Sequence, residues 1–308
     1  MPPLEGMRIL VTGATGFLGK EVCRLLGEAK AQVYPVSRSS YDVRNEAELL
    51  TAVCLARPSA IVHLAAPHHD APDSRLFRNT LLMGLNVAYA AALQQARLVW
   101  VAPRSCLPEE PPGKHGEKEK DRSPVDRLLG AGLNPSRPHE AAIRSVAALI
   151  QSYRERYPDW QAIGLLLPDL YGDGDSRGPV TLTTIKACAG YKPPEPEKEP
   201  REEHAFTLLH VYDAARAVLE ACRRDPAPPA VLGIPGTRVK ALELERFIAA
   251  RLTGTLECIE EAPRKKGSAG DAAKLLMELG WAPAISLSQG LRHYWDSLCQ
   301  EHSVEAVP

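Results

Sequence analysis

Gly13, Gly16 and Gly19 stand three apart behind the apolar run Met7–Thr12, and they are the most specific chemical signal in the sequence. A strand, a glycine-rich turn and a helix start form a seat for a dinucleotide. Gly13 allows the tight turn, Gly16 lets the backbone approach a pyrophosphate, and Gly19 lets the helix pack closely on the sheet. The helix start offers unpaired N–H groups and a positive dipole end to the phosphates. Thr15, Phe17 and Leu18 complete the expected cofactor-binding segment. An acid at the end of the second strand would bond the ribose 2′-hydroxyl of NAD. This chain has Ser37-Arg38-Ser39-Ser40 there instead. Arg38 is suited to a 2′-phosphate and to stacking on adenine, so the cofactor expected is NADP rather than NAD. Asp42 and Val43 are then placed to flank the adenine. A further polar run, His68-His69-Asp70, reads as a solvated loop with acid–base groups; adjacent residues converge poorly on one ion, so no metal is expected.

The elements that position these residues alternate. Strands are expected over Met7–Thr12, Gln32–Ser37, Ala60–Ala65, Leu98–Ala102 and Ala162–Leu167. Helices are expected over Lys20–Ala29, Glu46–Ala56, Leu81–Gln95 and Pro138–Tyr157, each with apolar residues at helical spacing. This alternation predicts an α/β fold with a doubly wound parallel sheet. Further helices are expected at Val211–Arg223, Leu242–Leu252 and Ala269–Leu279. Two charged, proline-rich stretches, Leu107–Arg127 and Tyr191–Glu203, read as loops, and Gln300–Pro308 as a frayed tail. The expected division is a dinucleotide-binding domain over 1–165, with returning segments near 205–235, and a smaller α/β lobe over 166–300.

Bulk properties narrow the class. The net charge is −1, from 37 basic and 38 acidic residues, so no field favours nucleic acid or a membrane surface. Seven scattered cysteines without a CxxC pair argue against a disulfide scaffold and point to mostly buried thiols. No apolar run is long enough to span a bilayer and no signal-peptide pattern opens the chain, so a cytoplasmic protein is expected.

Taken in order, several short motifs resemble the extended short-chain dehydrogenase/reductase family, in particular its nucleotide-sugar epimerases and reductases of the GDP-fucose synthase kind. They are the GATGFLG turn, His63-Leu64-Ala65-Ala66, Asn86-Val87, Leu170-Tyr171-Gly172, Leu209-His210-Val211-Tyr212-Asp213, and Leu279-Gly280-Trp281 followed by Ile285-Ser286-Leu287 and Gly290-Leu291. The resemblance implies a Rossmann-type sheet, a nicotinamide cofactor, Leu64, Ala65 and Ala66 beside that cofactor, and His68 and His69 over the substrate. It also implies substrate contacts from Asp169 and Tyr171, and a homodimer built on Leu81–Gln95 and Pro138–Tyr157.

The chain departs from the family at the catalytic residues. Relatives carry a tyrosine and a lysine four apart on one helix face; here His139 falls at the tyrosine position and Ile143 at the lysine position. Pro103-Arg104 replaces the usual serine pair, leaving Ser105 one residue displaced. His139 is a candidate acid–base group and Ser105 and Arg104 are candidates to polarise a carbonyl. Glu140 and Arg144, four apart, read as a surface pair. Three functions follow: an oxidoreductase acting on a nucleotide sugar or another polar small molecule, an NADP-binding regulatory subunit without catalysis, or non-redox elimination or cyclisation chemistry in the same cleft.

Overall fold

The N-terminal apolar run forms strand β1 (Arg8–Thr12), whose Ile9, Leu10 and Val11 are wholly buried because helices cover both faces of its sheet. The structure, a computed structural model, describes residues 4–67, 73–106, 128, 138–188, 205–223, 231–252 and 279–302. Chain contacts divide it into two units, one of residues 1–167, 215–234 and 275–281, the other of 168–214, 235–274 and 282–308.

In the first unit β1 is followed by α1 (Phe17–Glu28), β2 (Gln32–Val36), α2 (Glu46–Ala56), β3 (Ala60–His63), α3 (Asp73–Leu93), β4 (Arg97–Pro103), α4 (Pro138–Arg156), β5 (Ala162–Leu167) and, after a return, β8 (Val231–Gly233). The six strands are parallel, in the order β2-β1-β3-β4-β5-β8. This is the doubly wound α/β arrangement expected. Its order reverses between β1 and β3, which opens a crevice at the carboxyl ends of those strands. One core face gathers Leu10, Val53, Ile61, Ala91, Leu98, Val146 and Ile150 from the sheet and from α2, α3 and α4. Trp160 is buried there, with its indole N–H donating to the Ala96 carbonyl at 2.8 Å.

The second unit has its own sheet, β6 (Asp169–Tyr171), β7 (Ala205–His210) and β9 (Thr237–Lys240), in the order β6-β7-β9, the last pair antiparallel. Helices α5 (Pro179–Cys188), α7 (Ala241–Leu252) and α8 (Leu287–His302) supply Val180, Leu244, Phe247, Ile248, Leu287, Leu291 and Tyr294 to its core. Helix α6 (Val211–Arg223) follows β7 directly.

Several elements differ from the sequence expectation. Helix α3 starts at Asp73, eight residues before Leu81. Its first turns carry exposed Ser74, Arg75 and Arg78, so no apolar period marks them. Helix α5 was not expected, because Thr181, Thr183, Thr184, Val180 and Ile185 favour strands. The hydroxyls of Thr183 and Thr184 bond the carbonyls four residues back, which accommodates them in the helix. Helix α8 runs to His302, past the expected start of a frayed tail. Cys106 and Cys222 are buried, but Cys54 and Cys188 are exposed; Cys54 lies on the solvent face of α2, not with Leu49 and Val53. The charged stretches at 107–127 and 191–203 lie outside the described residues, as does most of the expected helix Ala269–Leu279. No helix among the described residues is long and apolar enough to cross a membrane.

Candidate functional site

The glycine turn sits at the β1 edge of the crevice. Gly13 has φ +72°, and a Cβ there would stand 2.6 Å from the Ala65 nitrogen and 2.7 Å from the Leu64 carbonyl carbon. The loops after β1 and β3 therefore touch at a point where only glycine fits. Helix α1 begins at Phe17, three residues earlier than expected, so Gly19 lies within its first turn, where a Cβ would collide with the Gly13 carbonyl and Ala14. Gly19 thus packs the helix onto the turn itself. Gly16 is the N-cap; it supplies no side-chain cap, and the first turn of α1 holds no acid. The early amide N–H groups of α1 have no intrahelical acceptor. Helix α2 makes the contrast: Asn45 caps the amides of Ala47 and Glu48, and Glu46 and Glu48 add acids to its first turn. Of these two helices, α1 is the one whose terminus is open to an external anion. Thr15 and Gly16 are exposed, and Phe17 and Leu18 half-buried, beside it.

At the end of β2 the chain turns through a hydroxyl cluster. Ser40 Oγ accepts from the Ser37 amide at 3.0 Å and donates to the Ser37 carbonyl at 3.0 Å, while Ser37 and Ser39 hydroxyls meet at 2.8 Å. Arg38 stands exposed on this turn. Asp42 is paired with Arg44 at 2.5 Å, and the guanidinium bonds hold its carboxyl below the usual range. Its carboxylate therefore organises the loop, whatever its backbone faces. Val43 is buried, and its carbonyl accepts from the buried amide of Asn86 at 3.0 Å. Asn86 thus ties α3 to the loop that follows β2, a role that the Asn86-Val87 motif alone did not reveal.

Thr12 and His63 are the residues that sequence reasoning missed. They face one another across β1 and β3. Thr12 Oγ1 lies 2.8 Å from His63 Nδ1 and accepts from the Ala65 amide at 3.4 Å. The hydroxyl thus bonds both the His63 ring at Nδ1 and the Ala65 amide, and ties the Leu64-Ala65 loop to β1 beside Gly13. Burial pushes His63 from 6.5 down to about 4. Below pH 6.5 the unfolded chain takes up a proton that the folded protein refuses, so stability is full above 6.5 and is lost as pH falls through about 4. The size is about 3 kcal/mol. Chemical unfolding at pH 7 and pH 4.5 should show a steeper loss for the parent than for His63→Gln; equal slopes would refute the assignment.

After β4 the chain makes a 3-10 turn, Arg104–Cys106. Ser105 is exposed on it. The guanidinium of Arg104 donates to the Ile234 carbonyl at 3.1 Å, an anchor onto the segment after β8. Cys106 is buried, which pushes its thiol up to about 12 and makes it a poor nucleophile at neutral pH. Its carbonyl accepts two bonds from buried Arg144, at 3.2 and 3.0 Å, and Arg144 also lies 3.7 Å from Glu140. The expected surface pair is therefore a buried clamp that sets the position of the Arg104–Cys106 turn. His139, half-buried on the first turn of α4, has Nδ1 2.9 Å from Thr80 Oγ1 on α3. Ile143, which the family resemblance would set at the lysine position, is buried in the core.

In the second unit Asp169 is exposed, whereas Tyr171 is buried in the core with its ring edge-on to His210, centroids 5.3 Å apart. The Tyr171 side chain serves packing. His68 and His69 lie outside the described residues. Asp213, wholly buried, accepts from the amides of Ala284 and Ile285, both at 2.9 Å.

Comparison with known proteins bears on the family and the fold. The sequence pattern of the NAD dependent epimerase/dehydratase family matches residues 9–233. The dTDP-glucose 4,6-dehydratase of Escherichia coli is 25% identical, across 92% of this chain and 91% of that enzyme. The dTDP-4-dehydrorhamnose reductase of Streptomyces griseus is 39% identical over 96 residues, and the matched part spans only 31% of its length and 31% of this chain. The GDP-L-fucose synthetase of Naegleria fowleri bound to NADP shares the fold, with a TM-score of 0.75 at 14% identity over 97% of this chain and 96% of that one.

Proposed function

The chain belongs to the NAD dependent epimerase/dehydratase family, and from that premise we propose that it binds NADP(H) in the β1–β3 crevice and acts on a nucleotide sugar as an oxidoreductase. The observation that carries this reading is the glycine cradle: Gly13 against the Leu64-Ala65 backbone, beside an uncapped, acid-free helix start. When bound, the nicotinamide supplies hydride acceptance and donation. The chain's own part is to seat the pyrophosphate on the first amides of α1, to meet a 2′-phosphate with Arg38, and to wall the ring side with Leu64, Ala65 and Ala66. His139, held at Nδ1 by Thr80, exchanges a proton with a sugar oxygen through Nε2. Ser105, exposed on the turn clamped by Arg144, donates a hydrogen bond to that oxygen. Arg104, already bonded to Ile234, holds the turn.

Titration with NADP, NADPH, NAD and NADH, followed by thermal stability, tests the reading, since a ligand of the folded state raises apparent stability by mass action. A shift with NADP(H) is expected at lower concentration than with NAD(H). Arg38→Asp should weaken NADP(H) about ten- to a hundredfold, the value of one charge-assisted bond, without weakening NAD(H), whose ribose 2′-hydroxyl the new acid can bond. Equal loss of both cofactors would remove Arg38 from the site. His139→Phe should lower turnover about a hundredfold or more while the cofactor still binds.

A second reading, an NADP-binding subunit that regulates a partner, rests on one observation. Ile143, set at the lysine position by the family resemblance, is buried, and neighbouring Arg144 is committed to the Cys106 carbonyl. Cofactor binding with no turnover on any keto- or hydroxy-sugar nucleotide, and no change on His139→Phe, would favour it.

A further inference from the structure

The amino-terminal end of the strands, opposite the glycine turn, carries a second concave site. A pocket of about 430 Å³ is lined among the described residues by Arg8, Cys54, Arg57, Pro58, Ser59 and Gln94. Arg8 opens β1, Arg57 closes α2, Ser59 precedes β3, and Gln94 follows α3. We propose that this pocket binds a phosphate-class anion, independently of the dinucleotide crevice.

Three observations carry the proposal. The lining has two guanidiniums and no carboxylate, and neither arginine has an acidic partner among the described residues. Its frame is fixed by backbone bonds: the Arg8 carbonyl accepts from both the amide and the hydroxyl of Ser59, at 2.8 and 3.1 Å. Arg57 is held left-handed, φ 43° and ψ 57°, with its amide on the Val53 carbonyl at 2.8 Å. Glycine is the residue this helix-closing position favours, so an arginine is held here against its backbone preference. Compensation of the helix end does not use up this charge. The carboxyl end of α2 presents about half a negative charge, against two full positive ones. Planar guanidiniums match the oxygens of a phosphate in paired hydrogen bonds, and the Gln94 side chain brings a further amide donor to the rim.

Cys54 is exposed within the pocket and reports on its occupancy. The full chain, without dinucleotide, is alkylated with iodoacetamide, the Cys54 thiolate displacing iodide, and the Cys54 peptide is followed by mass spectrometry. Inorganic phosphate is compared with chloride at equal ionic strength. At about four times its dissociation constant, phosphate leaves about one pocket in five open, and the Cys54 rate falls about fivefold. Arg8→Gln and Arg57→Gln should each abolish this protection while Cys188, which is exposed elsewhere, labels at an unchanged rate. Adenosine monophosphate protecting at lower concentration than inorganic phosphate identifies a phosphomonoester as the ligand, and the reverse order the free ion. Phosphate that protects no better than chloride, or protection that survives in the double variant, overturns the proposal. Calorimetric titration of the unsubstituted protein with phosphate needs no variant: a saturable heat is expected, and its absence also overturns the proposal.

Discussion

Gly13→Ala is expected to cost about a hundredfold or more in dinucleotide affinity and to lower stability as well. Two penalties combine. An L-residue at φ +72° costs about 1–2 kcal/mol. The new methyl would also stand 2.6 Å from the Ala65 nitrogen and 2.7 Å from the Leu64 carbonyl carbon, both backbone atoms that cannot rotate away. Relief requires the β1 turn or the loop after β3 to move outward, which pulls the Ala65 amide from Thr12 and displaces the surface on which the pyrophosphate would rest. Gly16→Ala is the discriminating companion. Its Cβ would meet only the Gly13 carbonyl, at 3.2 Å, and its φ of −73° is ordinary for any residue. The protein should tolerate it with little loss of stability, so a loss of NADP(H) binding there reports the approach of the ligand and nothing else. Thermal unfolding and cofactor titration of both variants decide the matter. If Gly16→Ala bound dinucleotide as the parent does, the pyrophosphate would not lie on this turn.

The pair also marks what the sequence could and could not disclose. Spacing of Gly13, Gly16 and Gly19 after an apolar strand announced the turn, because strand, turn and helix are contiguous in the chain. The alternation of apolar runs announced the parallel sheet for the same reason. Contacts between segments far apart did not announce themselves. Nothing in the sequence says that Thr12 meets His63, that Asn86 reaches the Val43 carbonyl, or that Thr80 holds His139. Arg144 misled for a related reason: four residues from Glu140 it has the spacing of a surface pair, and only the return of the β4 turn over α4 buries it against Cys106. Helix α5 was hidden because β-branched residues, which favour strands locally, were stabilised in a helix by burial of Val180 and Thr184.

Asp213→Ala is the substitution with the largest expected effect on stability within the second unit. The sequence places Asp213 in the first turn of α6, where an acid is ordinary. The structure gives it a different task. Its two carboxylate oxygens each accept one backbone amide, Ala284 to Oδ1 and Ile285 to Oδ2, both at 2.9 Å, and the side chain is wholly buried. One acid thereby holds the segment that leads into α8, joining two motifs about seventy residues apart in the chain. Alanine would remove the acceptor of both amides from a part-buried site. Two charge-assisted bonds at about 1.5–3 kcal/mol each set an upper range of about 3–6 kcal/mol, and the exposure of Ala284 places the expected loss at its lower end, about 3 kcal/mol. Asparagine keeps one acceptor but turns an NH₂ group toward the other amide, so Asp213→Asn should lose about half as much. Hydrogen exchange at the Ala284 and Ile285 amides reads the effect locally, which matters in a chain of two units whose global unfolding need not be a single step. Their protection should fall about a hundredfold or more in the alanine variant, while the amides of β1 and β3 exchange as before. Unchanged protection at 284 and 285 would mean that the amides find acceptors elsewhere and that Asp213 is buried for some purpose other than holding this segment.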